Sequence, residues 1–107
     1  MNPDIAVVAP RWATERTTYI PVADIFAVVE LADASLRKDL GPKAKLYGRT
    51  RIPDYLVVDL TDDVLIRHAY PHDLGYAEIT TLGHGDRFSL ASFPDVELEA
   101  TAFLAPR

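Results

Sequence analysis

Two strongly apolar runs, separated by a segment with helical periodicity, restrict what this chain can fold into. The first run extends from Asp24 to Ala32 and the second from Asp54 to Leu60. A run that is apolar at nearly every position is typical of a strand buried on both faces of a sheet. The segment between the runs is long enough to cross over the sheet, so we expect the two strands to be parallel.

The intervening segment predicts one main helix. Asp39 can cap its amino terminus, and Pro42 then falls in the first turn, where a missing backbone N–H costs nothing. The helix should continue through about Arg49 and end before Pro53, because a residue that precedes proline is biased toward extended backbone. The chain is therefore expected to contain a strand–helix–strand unit.

Shorter strands are predicted on both sides of this unit: a short apolar one before it, and after it segments between turn signals, two of which alternate apolar and polar residues. They are Ile5–Ala9, Val64–Tyr70, Tyr76–Leu82 and Arg87–Leu90, and Val96–Leu104 is expected to be a terminal strand or a docking segment. We expect a single α/β domain over residues 1–107, with a mixed central sheet, one main helix and a C-terminal antiparallel meander.

One face of the predicted sheet has no helix to cover it, because only one helical segment is visible. A central strand that is apolar on both faces needs a cover on each of them. Either the C-terminal meander folds over the second face, or another chain covers it. If another chain covers it, a homodimer is the simplest arrangement.

Composition excludes several classes of protein. Cysteine is absent, so disulfides and thiolate zinc sites are ruled out. No apolar run approaches the roughly 20 residues needed to span a bilayer, and the first residues lack the basic and apolar regions of a signal peptide. We therefore expect a cytoplasmic protein without a membrane partner. The net charge of −5 argues against a general nucleic-acid-coating protein.

A charged pair in apolar surroundings marks the candidate site. Glu30 lies within the first apolar run, and Lys43 falls on the inward face of the predicted helix with Leu40, Leu46 and Tyr47. Charged side chains are almost never fully buried unless they are paired. We therefore expect Lys43 to meet Glu30, either as a functional site or as a structural ion pair.

Asp4 precedes the first strand and adds a second carboxylate, although it could also be a simple turn residue. Two carboxylates and one amine are the minimal set for metal-assisted phosphodiester hydrolysis. Asp4 and Glu30 would hold Mg²⁺ (or Mn²⁺), with the backbone carbonyl of Leu31 as a further ligand. Lys43 would orient the attacking water or neutralise charge on the phosphate. We therefore predict Asp4, Glu30 and Lys43 as catalytic residues.

Basic residues are concentrated next to this set. Six of them lie between Arg37 and Arg51, against the single acid Asp39, although the chain as a whole is acidic. Apart from Lys43, these residues are Arg37, Lys38, Lys45, Arg49 and Arg51. Such a strip would bind the phosphates of DNA, and the alternative is an ordinary solvated helix face.

The leading PDIAVV and the stretch VVELADASLRKDLGPKAKLYGRTRIPDYLVVDL resemble the Uma-two family of restriction endonucleases, within the PD-(D/E)XK nuclease-like superfamily. The resemblance implies a restriction-endonuclease-like fold acting on DNA with Mg²⁺. It also implies that Asp4 and Glu30 are the metal-binding acids and that Lys43 is the basic catalytic residue. The superfamily lysine usually follows the acid by two positions, where this chain has Ala32, so the resemblance implies that the lysine has moved to the helix.

The chain departs from the family pattern at its start. Members usually have a helix and a strand hairpin before the Pro-Asp, whereas this sequence begins at that motif. Two functions therefore stay open: a metal-dependent DNA endonuclease, or a catalytically inactive remnant that dimerises or binds a partner.

Three further polar residues near the site have plainer expected roles. Tyr47 and Tyr55 are expected to be core aromatics with hydrogen-bonded hydroxyls. Asp59 ends the second apolar run and is expected to cap a turn.

Overall fold

The computed structural model of the protein describes residues 4–10, 20–33 and 40–106. Within them the strands are β1 (Ile5–Val8), β2 (Ile25–Ala32), β3 (Asp54–Asp59), β4 (Val64–His72), β5 (Gly75–Leu82), β6 (Arg87–Phe88) and β7 (Leu98–Glu99). The helix α1 is Leu40–Arg49, and short 3-10 turns occupy Val22–Asp24 and Ala100–Phe103. The predicted end of the helix at Arg49 is confirmed.

The five longer strands form one mixed sheet in the order β1-β2-β3-β4-β5, and β6 and β7 form a second, antiparallel pair. β2 and β3 are parallel, with Ala27 opposite Asp54 and Ala32 opposite Asp59. The other neighbours in the large sheet are antiparallel. The crossover through α1 and the α/β class with a mixed central sheet are therefore confirmed.

α1 packs on one face of the sheet because its apolar residues recur at helical spacing. The core that it covers consists of Val28, Ala32, Tyr47, Ile52, Tyr55, Val57 and Tyr76. At its carboxyl end the helix backbone comes so close to β5 that a Cβ on Gly48 would lie 2.0 Å from the carbonyl oxygen of Gly75. This close approach fixes the distance between the end of α1 and the sheet.

The C-terminal segment covers the opposite face of the sheet. That core contains Ala27, Val29, Leu56, Val58, Leu65, Leu90 and Ala100, with Phe88, Leu98, Phe103 and Leu104 packed against it. Of the two expected covers for the second sheet face, the chain's own C-terminal segment is the one present. An uncovered face is therefore no longer a reason to expect a homodimer, and the homodimer itself stays a prediction.

Of the two expectations for Val96–Leu104, a terminal strand or a docking segment, the docking segment describes most of it. Only Leu98–Glu99 is a strand, and Ala100–Phe103 is a 3-10 turn. Ala100 is fully buried, and its N–H donates to the carbonyl oxygen of Asp86 at 2.8 Å. The turn lets Ala100, Phe103 and Leu104 all reach the sheet, whereas an extended strand would send alternate residues to opposite sides.

Asp54 links the C-terminal segment to the sheet through hydrogen bonds. The residue is 0% exposed, and its Oδ1 accepts a hydrogen bond from Nε of Arg67 at 2.8 Å. Its Oδ2 accepts a hydrogen bond from the backbone N–H of Ala91 at 2.7 Å. Both oxygens of a fully buried carboxylate are therefore satisfied, one by β4 and one by the C-terminal segment.

Candidate active site

Glu30 is the centre of the site. It lies near the end of β2 on the face that α1 covers, and it is 3% exposed. Its Oε1 accepts a hydrogen bond from the Tyr47 hydroxyl at 3.0 Å, and its Oε2 accepts one from the Tyr55 hydroxyl at 3.2 Å. Nζ of Lys43 lies 3.0 Å from Oε2. The expected contact between Lys43 and Glu30 is therefore present in the structure.

The helix geometry explains why Lys43 and Tyr47 reach the same carboxylate. They are four residues apart in α1, so they lie one above the other on the face toward the sheet. Tyr47 is buried, whereas the Lys43 side chain is 33% exposed. The lysine ammonium thus stands at the border between the buried carboxylate and solvent.

β1 brings Asp4 to the same end of β2. The two strands are antiparallel with Ile5 opposite Val29, so Asp4 falls next to the residues that follow Val29. Oδ2 of Asp4 accepts a hydrogen bond from the backbone N–H of Leu31 at 2.8 Å. Because Leu31 directly follows Glu30, both predicted metal-binding acids lie at the same end of β2. Asp4 contacts the Leu31 amide, and a ligand role for the Leu31 carbonyl stays a prediction.

The chemistry of this donor set suits Mg²⁺. Carboxylate and carbonyl oxygens are hard ligands, and Mg²⁺ commonly uses one or two protein carboxylates together with several waters. Within residues 4–10, 20–33 and 40–106, no group of three or more His, Asp or Glu side chains could hold a metal ion. A cation here would therefore depend on two carboxylates, backbone oxygen and water.

The two tyrosines donate to Glu30 over the whole physiological pH range. Burial raises the pKa of Tyr47 well above its ordinary value, and the hydrogen bond to Glu30 and the charges of Glu30 and Asp4 raise it further. Burial also raises the pKa of Tyr55, with the charge of Glu30 as the next cause. Both hydroxyls consequently keep their protons and stay hydrogen-bond donors.

Three of the five predicted DNA-binding residues lie in the described part of the chain. Lys45 and Arg49 are exposed and lie four residues apart on the outer face of α1. Arg51 follows the helix with φ 64°, and its guanidinium bonds Asp73 at 2.8 Å and the Gly48 carbonyl at 3.1 Å. The remaining two predicted contacts, Arg37 and Lys38, lie outside the described residues.

Sequence reasoning treated Tyr47 and Tyr55 only as core aromatics, and the acceptor of their hydroxyls was missed. For Tyr47 a signal existed, because it follows Lys43 by four residues on the same helix face. For Tyr55 none existed, since its position depends on how β3 pairs with β2. Asp59 has the expected turn role: its Oδ1 accepts hydrogen bonds from the N–H groups of Thr61 and Asp62 at 3.0 and 3.1 Å.

His68 extends the buried aromatic group below the site. It is 6% exposed, its ring centroid lies 4.8 Å from that of Tyr55, and its Nδ1–H donates to the Tyr55 carbonyl at 3.0 Å. Burial lowers the pKa of His68 from its ordinary value of 6.5, against the opposing effect of its hydrogen bonds to backbone. The imidazole is therefore neutral in the folded protein near neutral pH.

The depressed pKa of His68 predicts that acid weakens the fold. The unfolded chain binds a proton at this residue more readily than the folded chain, so stability is fully present above pH 6.5 and falls as the pH drops below that value. Urea unfolding between about pH 7.5 and about pH 5 should show a steeper loss in the parent than in His68→Gln. The exposed His72→Gln is the control and should keep the parental slope; equal slopes in all three proteins would contradict the prediction.

A five-stranded mixed sheet with a helical crossover, and acids at one end of its parallel pair, fits the restriction-endonuclease-like class of folds. A family model described as "Putative restriction endonuclease" matches residues 1–101. The chain belongs to this family, Uma2. No curated protein and no solved structure matches it. In the part of the chain that the structure describes, no helix is long and apolar enough to cross a membrane.

Proposed function

We propose that this protein is a Mg²⁺-dependent endonuclease that hydrolyses phosphodiester bonds in DNA. The observation that carries the proposal is the buried Glu30 carboxylate with the Lys43 ammonium 3.0 Å away at a strand end. Asp4 lies beside the same strand end, through its hydrogen bond to Leu31. Membership of a family described as restriction endonucleases supports DNA as the substrate.

The residues at this end of β2 would have different roles in such a reaction. Asp4 and Glu30 would hold the metal ion, with the Leu31 carbonyl as a further oxygen ligand. When bound, a divalent metal polarises a phosphoryl oxygen and makes water more acidic. Lys43, which is partly exposed, would contact the phosphate and neutralise the charge that develops there. Burial of Glu30 strengthens these electrostatic interactions because little water screens them.

The basic residues of the helical segment would hold the DNA backbone. Lys45 and Arg49 are exposed, so phosphates can reach them without any change in the fold. Arg37, Lys38 and Arg51 complete the proposed set. Phosphate contacts of this kind supply affinity that falls with salt and carry no sequence information.

Nicking of supercoiled plasmid by the purified chain tests the function. With Mg²⁺ or Mn²⁺ present, we expect the parent to cleave and EDTA to stop it. Glu30→Ala and Lys43→Ala should each lower the rate by at least about 100-fold, because the first removes a ligand of the metal ion and the second a charge that stabilises the reacting phosphate. Glu97→Ala removes an exposed carboxylate that pairs with Arg87 in the small sheet, and it should cleave like the parent. Cleavage that persists in Glu30→Ala would mean a contaminating nuclease.

The alternative function is a catalytically inactive domain that dimerises or binds a partner. It is favoured by the three protein donors on Glu30, which would also stabilise a purely structural carboxylate. No cleavage by the folded parent chain would favour this alternative. Sedimentation of the same sample would then test the homodimer.

A further inference from the structure

We propose that Tyr47 and Tyr55 are positioning residues that turn Glu30 so that Oε1, rather than Oε2, faces a bound divalent cation. The inference rests on the proposed function and assigns a role within its site to each of the two hydroxyls. Neither tyrosine would touch the cation or the substrate. They act through the carboxylate that they hold.

The two oxygens of Glu30 carry different numbers of donors. Oε2 accepts from the Tyr55 hydroxyl at 3.2 Å and lies 3.0 Å from Nζ of Lys43. Oε1 accepts from the Tyr47 hydroxyl at 3.0 Å, its one donor among the described residues. Each carboxylate oxygen offers about two lone pairs. Oε2 is therefore fully engaged, whereas Oε1 keeps one lone pair for a cation.

Packing holds both hydroxyls in place. The rings of Tyr47 and Tyr55 have centroids 5.0 Å apart, and Tyr55 also packs against His68. Both rings are at most 5% exposed, so neither side chain can swing into solvent without opening the core. A carboxylate that such donors orient before the cation arrives loses little freedom on binding. Partners that orient ligands in this way typically contribute about 10-fold to 100-fold in metal affinity.

Tyr76 provides a matched control within the same aromatic cluster. Its hydroxyl donates to the carbonyl oxygen of Ile52 at 2.7 Å, and Tyr76 packs against Tyr55 without a hydrogen bond to Glu30. Tyr76→Phe therefore removes one buried tyrosine hydrogen bond, as Tyr47→Phe and Tyr55→Phe do. It leaves both tyrosine donors of Glu30, and Lys43, in place.

Binding of Mn²⁺ to the full chain, measured from the electron paramagnetic resonance signal of the free ion, tests the inference. We expect Tyr47→Phe to weaken binding by about 10-fold to 100-fold. Tyr55→Phe should weaken it less, because Lys43 still holds Oε2. Tyr76→Phe should bind like the parent, although melting curves should show a similar loss of stability in all three variants.

The outcomes separate this inference from the proposed function. If Tyr47→Phe binds Mn²⁺ as Tyr76→Phe does, or if the parent takes up no Mn²⁺, the positioning role is overturned. A larger loss in Tyr55→Phe than in Tyr47→Phe would overturn the assignment of Oε1. If Mn²⁺ binding falls as expected but the parent chain cuts no plasmid, the positioning role stands and the nuclease proposal fails.

Discussion

Replacing Gly48 with alanine is expected to destabilise the fold by about 3 kcal/mol or more. The added Cβ would lie 2.0 Å from the carbonyl oxygen of Gly75 and 2.5 Å from its carbonyl carbon. These are backbone atoms of β5, so they cannot move aside as the end of a flexible side chain can. α1 would have to lift from the sheet, and Lys43 and Tyr47 would move away from Glu30 with it. Urea unfolding measures the loss.

Gly41→Ala is the matched control for this change. The substitution is the same and lies in the same helix, but a Cβ on Gly41 would meet nothing within 4 Å. Alanine favours helix over glycine by up to about 1 kcal/mol, so the control should be neutral or slightly stabilising. Equal destabilisation of the two variants, or a Gly48→Ala protein as stable as the parent, would contradict the close contact between helix and strand.

Asp54→Ala should cost about 3 kcal/mol of unfolding free energy, because it removes a fully buried carboxylate that accepts two hydrogen bonds. Arg67 would lose the carboxylate that its Nε contacts at 2.8 Å, and the N–H of Ala91 would lose its acceptor at 2.7 Å. The C-terminal cover should then come away from the sheet more easily. Hydrogen exchange of the Ala91 amide would report that loosening, and urea unfolding would report the total cost.

An exposed ion pair with the same 2.8 Å distance as the Asp54–Arg67 pair shows how much burial contributes to stability. Arg51 contacts Asp73 at 2.8 Å, but the two side chains are 54% and 82% exposed. Pairs in water typically contribute between about 0 and 1 kcal/mol. Asp73→Ala should therefore change stability little, and a cost equal to that of Asp54→Ala would show that burial is not the reason for the larger effect.

The strand–helix–strand unit was predictable because its signals are local. The mainly apolar runs of β2 and β3 indicated strands covered on both faces, and both are buried over most of their length. Pro53 ruled out a longer helix, and α1 ends at Arg49. Periodicity and proline act within a few residues, so they can be interpreted without knowledge of the fold.

The C-terminal region was less predictable because its conformation depends on what lies beneath it. Val96–Leu104 has the apolar content of a strand, but its turn at Ala100 forms over the sheet core. Asp54 likewise had no local sign of its role. Its contacts with Arg67 and Ala91 join positions 13 and 37 residues away in the chain.

The contact between Lys43 and Glu30 could be inferred from local sequence, because a lysine on an inward helix face needs an opposite charge near it. The crossover that brings the two residues together could be inferred in the same way. The contacts of the Glu30 carboxylate and of its neighbour Leu31 outside α1 depend on how the strands pair. Tyr55 reaches Oε2 because β3 pairs in parallel with β2, and Asp4 reaches Leu31 because β1 pairs with Ile5 opposite Val29. Strand register depends on distant contacts, which no local pattern records.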